Sequence, residues 1–151
     1  MTMADLDELD LKIIRALNSN ARKSYRDIAK ELDLSLTTIS KRIKRMEDEK
    51  VILGYAPLLD QEKLGFDINA IIGIKISHGM IIETERVLAK DPQVYAVFDS
   101  TGDWDAIVEA RFKTRAELNQ FVKKVLEQEN VEKTFTQIVL SVTKDEKRVL
   151  I

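Results

Sequence analysis

Apolar residues recur at helical spacing in the first third of the chain and at alternate positions in much of the remainder. The first such stretch predicts a helix that Asp5 or Asp7 can cap and that the Asn-Ser-Asn sequence of residues 18–20 ends. Its apolar stripe consists of Leu6, Leu9, Ile13, Ile14 and Leu17. This helix is one member of a predicted three-helix domain.

Residues 24–46 predict two further short helices separated by a tight turn. Ser24, with Asp27 three residues later, resembles a capping box, and Ser35 can cap the second helix. One side of that second helix is apolar and consists of Leu36, Ile39, Ile43 and Met46. The opposite side is polar and basic and consists of Thr37, Thr38, Lys41, Lys44 and Arg45, with Arg42 at its flank.

This polar side suits DNA, because residues 34–46 contain four basic side chains and no acidic one. Lysine and arginine neutralise phosphates, and short hydroxyl side chains let a helix enter the major groove. Two helices joined by a tight turn, the second basic on its outer side, form the helix-turn-helix pattern. A helical hairpin with a solvated face is the alternative, although such a face normally mixes both charges. Beyond Ser35 at the helix start, the predicted base contacts are Thr37, Thr38, Ser40 and Arg42, and the predicted phosphate contacts are Lys41, Lys44 and Arg45.

Residues 51–59 are rich in β-forming side chains and are broken by Gly54 and Pro57. They predict a short strand pair or an extended linker, and a wing that touches the DNA backbone is a weaker possibility. Residues 60–65 form the predicted domain boundary, which divides the chain into a DNA-binding domain with its linker (1–60) and a second domain (61–151).

The second domain begins where the apolar period changes to two. Residues 67–76, 94–100, 105–112 and 131–143 predict strands, and residues 82–90 predict a helix between the first two. Thr114 with Glu117 is a capping box that opens a helix with Leu118, Phe121, Val122, Val125 and Leu126 on one side. The order βαββαβ is the ferredoxin-like arrangement. The fold class is therefore α+β, with an N-terminal trihelical (winged) helix-turn-helix domain and a C-terminal ferredoxin-like domain.

The sheet of such a domain has a second face that no helix covers. The apolar residues assigned to this face are Ile71, Val97, Ile107, Phe135 and Val139. They represent either scattered surface aliphatic side chains or an interface between copies of the chain, and the amount of apolar surface favours the interface.

Composition excludes several classes of protein. The chain has no cysteine, a net charge of −2, no membrane-length apolar run and no signal peptide, so a cytoplasmic location is expected. The single histidine, His78, is interpreted as a surface residue, and Asp103 and Asp105 as turn residues. No phosphate loop or nucleophile motif is present, and we expect no enzyme activity, no metal ion and no cofactor.

Seven motifs resemble the leucine-responsive/asparagine regulator (Lrp/AsnC) family across nearly the whole chain. They are LDLKII at 9–14, IA and LS at 28–29 and 34–35, ISKRI at 39–43, VILGY at 51–55, KLG at 63–65, STGDWD at 100–105 and TFTQIV at 134–139. The resemblance implies a transcriptional regulator that binds double-stranded DNA, dimerises, assembles into octamers or larger discs, and senses an amino acid through its C-terminal domain.

The resemblance also implies where an amino acid effector binds, namely where the 101–105 loop meets the last strand. The implied residues are Thr101, Gly102, Asp103, Trp104, Thr134 and Thr136. Backbone N–H groups near Gly102 can donate to a carboxylate, and Asp103 can accept from an ammonium group. Asp33 and Lys50 replace glycines that are usual in the family, and Trp104 replaces a usual tyrosine. A stand-alone amino-acid-binding module, similar to ACT domains, is the rival interpretation, but it gives residues 24–46 no role.

Overall fold

The described part of the chain, residues 5–77 and 79–151 of a computed structural model, contains five helices and four strands. In chain order these are α1 (Glu8–Ser19), α2 (Tyr25–Glu31), α3 (Leu36–Asp48), β1 (Ile68–Ile76), α4 (Ile81–Leu88), β2 (Val94–Asp99), β3 (Ala106–Phe112), α5 (Arg115–Leu126) and β4 (Val131–Ile138). The predicted α+β fold is confirmed. The interpretation of His78 concerns a residue outside the described ranges.

The first unit is built on three capped helices. Asp7 and Ser24 each form a capping box, with Asp10 and Asp27 respectively, and Ser35 accepts a hydrogen bond from the Thr38 N–H. These caps satisfy N–H groups that would otherwise lack partners at the helix starts. The buried core consists of Ile13, Ala16, Leu17, Ile28, Ala29, Ile39, Ile43 and Met46.

The two turns of this unit carry residues in the left-handed conformation. Asp33, between α2 and α3, has φ of 54°, and Lys50, just after α3, has φ of 59°. These are the two positions at which the resembled family usually has glycine, and glycine adopts this conformation without steric cost. The short polar side chain of Asp33 tolerates it better than the long side chain of Lys50.

Contacts divide the chain at residues 58 and 144 rather than at residue 60 alone. One unit ends at Leu58 and includes Asp145–Ile151, and the other is Leu59–Lys144. The last seven residues, which the sequence assigns to the second domain, therefore lie in the first unit. Residues 53–60 form no strand, so an extended linker is present rather than a strand pair.

The second unit is a four-stranded antiparallel sheet in the order β2-β3-β1-β4. The helices α4 and α5 cover one face and bury a core that alternates along β1 and β3. On β3 the inward residues are Ala106, Val108, Ala110 and Phe112, as predicted. Thr114 caps α5 by accepting from the Glu117 N–H, but the Glu117 carboxylate accepts from Lys113 instead of Thr114.

Some predicted details differ from the structure. The last strand ends at Ile138 rather than at residue 143, and residues 139–144 belong to no strand. Leu36 and Leu126, assigned to the buried sides of their helices, are 47% and 45% exposed. Each lies at a helix terminus, where the neighbouring element no longer covers the side chain.

Candidate functional site

The outer side of α3 presents short polar side chains and two lysines. Thr37, Ser40, Lys41 and Lys44 are exposed, and the two lysines make no ion pair within the described residues. Ser35 and Thr38 share a hydrogen bond of 2.8 Å between their hydroxyl oxygens, and the Ser35 hydroxyl also caps the helix. The structure therefore brings together most of the predicted DNA-binding residues.

Arg42 and Arg45 belong to a different environment from the two lysines. Arg42 donates to Asp10 of α1 at 3.2 Å and also to Asp7, and Arg45 donates to the other oxygen of Asp10. The hydrogen bond from Arg42 lowers the pKa of the Asp7 carboxyl to about 2, and the same contacts raise the pKa of Arg42. In this structure the two arginines, for which contacts to bases and phosphates are predicted, contact Asp7 and Asp10.

Leu36 is a surface residue that the periodicity of the chain does not identify. It is the first residue of α3, next to Thr37, and is half exposed. An apolar side chain at the start of a recognition helix can contact a thymine methyl group. The sequence did contain a signal for this exposure. Ser35 is the N-cap, so Leu36 lies in the first turn of α3, where burial is incomplete.

In the second unit, Asp105 holds the 100–105 loop against the end of β1. Its carboxylate receives Lys75 Nζ at 3.0 Å and the Ile76 N–H at 2.8 Å. Its own N–H donates to the Ile74 carbonyl at 3.0 Å. Ser100 closes the loop by donating its N–H to the Asp105 carbonyl at 2.9 Å. Four hydrogen bonds thus fix the residue that follows Trp104.

The indole of Trp104 lies flat on the sheet face that the helices leave uncovered. It stacks on Phe135 with ring centroids 5.7 Å apart and 13° between the ring planes, and Lys133 Nζ lies 5.2 Å from the indole. A Cβ atom at Gly73 would lie 2.7 Å from two indole carbons. The absence of a side chain at Gly73 is therefore what lets the indole reach the sheet. Thr101, Gly102 and Asp103 are exposed beside it.

Thr134 and Thr136 lie on the opposite face of the sheet from this indole. They pair with Ile74 and Ile72, which are fully buried under the helices, and directly paired residues of antiparallel strands point to the same face. The β4 residues that share the Trp104 face are Lys133, Phe135 and Gln137. The structure therefore brings Thr101, Gly102, Asp103 and Trp104 together and does not bring the two threonine hydroxyls to them.

The uncovered sheet face is apolar along its middle. Its β2 residue differs from the prediction. Val97 pairs with Val108 and packs on the core, whereas Phe98 pairs with Ile107 on the uncovered face. A bulge between Val94 and Ala96 reverses the alternation along β2, which strict period-two counting cannot foresee. The large apolar residues on this face are Ile71, Phe98, Trp104, Ile107, Phe135 and Val139.

Two kinds of site are not seen within the ranges 5–77 and 79–151. No three His, Asp or Glu side chains there are grouped as they would be to hold a metal ion. No helix in those ranges has both the length and the apolar character that a membrane crossing requires.

Two family models match the chain. Residues 6–52 match the model described as winged helix-turn-helix DNA-binding, and residues 69–149 match the model described as the Lrp/AsnC ligand binding domain. The first match covers the three helices of the first unit, and the second covers the sheet except for Ile68, together with the Trp104 loop.

Similar proteins include transcriptional regulators from archaea. An uncharacterised HTH-type transcriptional regulator of Pyrococcus abyssi is 49% identical over 144 residues, which cover 95% of this chain and 98% of the relative. The HTH-type transcriptional regulator Ptr1 of Methanocaldococcus jannaschii is 36% identical over 141 residues, which cover 93% and 95%.

Two solved structures have the same fold along nearly the whole chain. Escherichia coli AsnC has a TM-score of 0.89 and 25% identity, with 96% of this chain and 99% of that chain covered. A transcriptional regulator of Neisseria meningitidis, solved as a complex with L-Met, has a TM-score of 0.87 and 26% identity, with 96% of both chains covered.

Proposed function

Because the chain belongs to the Lrp/AsnC family of transcriptional regulators, we propose that α3 reads DNA sequence and that the sheet domain senses an amino acid. The observation that carries the DNA-binding half is the exposed side of α3, where short polar residues lie beside two lysines that form no ion pair with any residue that the structure describes. The rival interpretation, a stand-alone amino-acid-binding module, leaves this helix and its whole unit without a role.

The roles on α3 follow from reach and charge. Thr37 and Ser40 are short and exposed, so they contact base edges, and Leu36 contacts a thymine methyl group. Lys41 and Lys44 contact phosphates, which position the helix without reading sequence. A second such unit in the same assembly matches the symmetry of a pseudo-palindromic site.

The DNA-binding half is tested with a Lys41→Ala/Lys44→Ala variant in fluorescence anisotropy titrations on a random-sequence duplex. Each lost phosphate contact reduces the slope of log K against log salt by about 0.9, so the pair should reduce it by about 1.8 per subunit bound. Lys90→Ala/Lys113→Ala, two lysines of the sheet unit, is the matched control. An unchanged slope and affinity in the α3 variant would remove this helix from the interface.

The sensing half is supported by the chemistry around Trp104. Backbone N–H groups near Gly102, whose φ is 114°, can donate to a carboxylate, and the exposed Asp103 can accept from an ammonium group. The indole and the Phe135 ring offer an apolar surface to the ligand side chain. The match to a ligand-binding domain and the L-Met complex of the Neisseria meningitidis relative support an amino acid as the ligand.

Calorimetric titration with L-methionine and the other common amino acids tests this half. We expect at least one amino acid to bind, and Gly102→Val to abolish binding, because valine is strained at a positive φ and covers the N–H groups. Thr136→Val, on the helix-covered face, should bind as the wild type does. Loss of binding in Thr136→Val together with full binding in Gly102→Val would place the site on the other face of the sheet.

Self-association through the uncovered sheet face completes the proposal. This face exposes the rings of Phe98 and Phe135 to 51% and 49%, and such apolar patches mark interfaces between proteins. Dimers formed there are the proposed building block of an octamer or a larger disc. Ligand that binds one assembly better than another shifts the equilibrium between them, by about 1.4 kcal/mol for a tenfold preference.

A further inference from the structure

Asp10 is an acidic residue on the buried side of α1. It lies on the α1 face that also carries Ile13 and Leu17, and its side chain is 0% exposed. Burial of an isolated carboxylate is strongly unfavourable, so such a group persists only where cations and hydrogen-bond donors compensate for the lost water. An apolar residue would fill the same position without that cost. The charge at this position therefore has a role other than filling the core.

The compensation comes from the recognition helix. Arg42 Nη1 donates to Asp10 Oδ1 at 3.2 Å, and Arg45 Nη2 donates to Oδ2. The same Oδ2 accepts from the Asp7 N–H at 3.1 Å, and the Asp7 carboxylate in turn accepts from Arg42. One buried carboxylate thus binds two arginines that lie three residues apart on one side of α3. We define Asp7, Asp10, Arg42 and Arg45 as the α1–α3 ion cluster.

This cluster restricts the rotation of α3 about its own axis, which apolar packing restricts poorly. Hydrophobic contacts are non-directional, so Ile39, Ile43 and Met46 hold α3 on the core but tolerate rotation about the helix axis. Charge-assisted hydrogen bonds are directional and strong, and two of them one turn apart on α3 define its rotation. Rotation by a single residue would turn the exposed side by about 100° and present different side chains to a groove.

The cluster also changes the charge available to DNA. Of the four basic residues on α3, Arg42 and Arg45 share the carboxylates of α1, whereas Lys41 and Lys44 face solvent. Two guanidinium groups that could bind phosphates of any sequence are thereby neutralised within the protein. Phosphate binding is sequence-independent, so removing two such contacts lowers non-specific affinity more than it lowers discrimination between sequences.

We propose that Asp10 is a positioning residue for DNA recognition, which sets the rotation of α3 and withholds Arg42 and Arg45 from the phosphate backbone. The proposal rests on the proposed DNA-binding function and adds a determinant of specificity to it. It assigns two of the predicted DNA-contacting arginines a role inside the protein.

The experiment compares two duplexes: one selected by the wild-type protein from a random library, and one of random sequence. Asp10→Asn keeps the shape of the side chain and releases both arginines. We expect its salt slope on the random duplex to steepen by about 0.9 for each arginine that reaches a phosphate. Its discrimination between the two duplexes should fall about tenfold. Asp7→Asn is the matched control, since its carboxylate is exposed and contacts only Arg42 of the pair, and it should change both quantities less.

A second variant separates the two parts of the proposal and does not depend on Asp10→Asn being folded. Asp10→Leu with Arg42→Met and Arg45→Met replaces the cluster with apolar side chains, an exchange that is often neutral or stabilising. Its salt slope should equal that of the wild type, because the two arginines do not contribute to phosphate binding there. Its discrimination between the two duplexes should again fall about tenfold, because the cluster no longer sets the rotation of α3.

Three outcomes are distinguishable. A slope lower by about 1.8 in the apolar variant would show that the arginines bind phosphates, and would overturn their withdrawal from DNA. Unchanged discrimination in that variant, with helix content intact by circular dichroism, would overturn the positioning role. No binding of wild-type protein to either duplex would contradict the proposed function itself, and with it this inference.

Discussion

A single glycine, Gly73, determines whether the indole of Trp104 can pack on the sheet beside the candidate ligand site. Gly73 is a central residue of β1, where a β-branched side chain would be favoured by propensity. Its missing side chain instead leaves space that the indole of Trp104 occupies. Glycine inside a strand weakens it and often marks such a close approach. The position of Trp104, and with it the apolar part of the site, depends on this one residue.

Gly73→Ala should therefore displace the indole and destabilise the second unit. The added Cβ would lie 2.7 Å from indole carbons, and overpacking of this kind costs about 1–3 kcal/mol. Trp104 is the only tryptophan, so its fluorescence reports this surface alone, and we expect emission at longer wavelength as the ring meets more water. Urea unfolding followed by the same emission measures the loss of stability.

The control for this prediction is the same substitution without the indole. In a Trp104→Ala background the added Cβ meets no ring, so Gly73→Ala should cost little, and the difference between the two backgrounds is the interaction energy. Circular dichroism follows unfolding in this pair. An equal loss of stability in both backgrounds would mean that Gly73 is needed for the strand itself and not for the packing of Trp104.

The same face shows what residue patterns in the sequence could and could not establish. The Thr101–Trp104 loop was identifiable because its motif is distinctive, and those residues lie together. Thr134 and Thr136 were grouped with them from the family resemblance and from the chemistry of their hydroxyl groups. Only the pairing of β4 with β1 determines which face a β4 side chain occupies, and a shift of one residue exchanges the faces. Phe135, between the two threonines, is the residue on the Trp104 face.

Elements with strong local signals were predictable almost to the residue. The helix starts at Glu8, Tyr25, Leu36 and Arg115 follow capping side chains whose hydrogen bonds are all present. A cap is a local interaction between residues three apart, so the sequence contains all the information that forms it.

Elements that depend on a distant partner were less predictable. Residues 51–59 have the composition of strands, but a strand exists only where another strand pairs with it, and residues 53–60 have none here. The end of β4 has the same cause, because its ladder with β1 ends at the pair of Ala70 and Ile138. The bulge in β2 arises from its pairing with β3 and moved Val97 to the core side.

Helix α1 illustrates a contact that no local pattern could reveal. It has no basic residue in its last turn, although a cation there would stabilise the exposed carbonyl groups. Arg148 supplies one from the end of the chain by donating to the Asn18 carbonyl at 3.0 Å. Asn18 and Arg15 donate in return to the carbonyl groups of Val149 and Ile151 at 2.9 and 3.0 Å. The final apolar residues were left without a role by the sequence and lie here on α1.

At the scale of the whole molecule, the chain passes between its two units twice. It leaves the first unit after Leu58 and returns to it at Asp145. Residues 139–144 connect β4, which carries Phe135 beneath Trp104, to the segment bound on α1. The candidate ligand site and the DNA-binding unit are therefore joined through a second covalent connection as well as through the linker before β1.

Association of the whole protein is predicted to depend on the uncovered sheet face. Phe98→Ser with Phe135→Ser removes its two most exposed rings, and buried aromatic residues dominate the energy of interfaces. A loss of about 3 kcal/mol would raise the dimer dissociation constant about a hundredfold. In sedimentation velocity at micromolar concentration, wild-type full-length protein should be a dimer or larger, and the variant should shift towards monomer.

Ile82→Ser with Leu126→Ser provides the matched control on the other side of the unit. Both residues are large, apolar and exposed, to 64% and 45%, but they lie on α4 and α5, which cover the opposite face. Equal numbers of apolar side chains are removed, so a general loss of surface hydrophobicity would affect both variants alike. If only the sheet-face variant dissociates, the dimer forms across the sheet. If the helix-face variant dissociates instead, the interface lies on α4 and α5, and the exposed rings of β2 and β4 must have another partner.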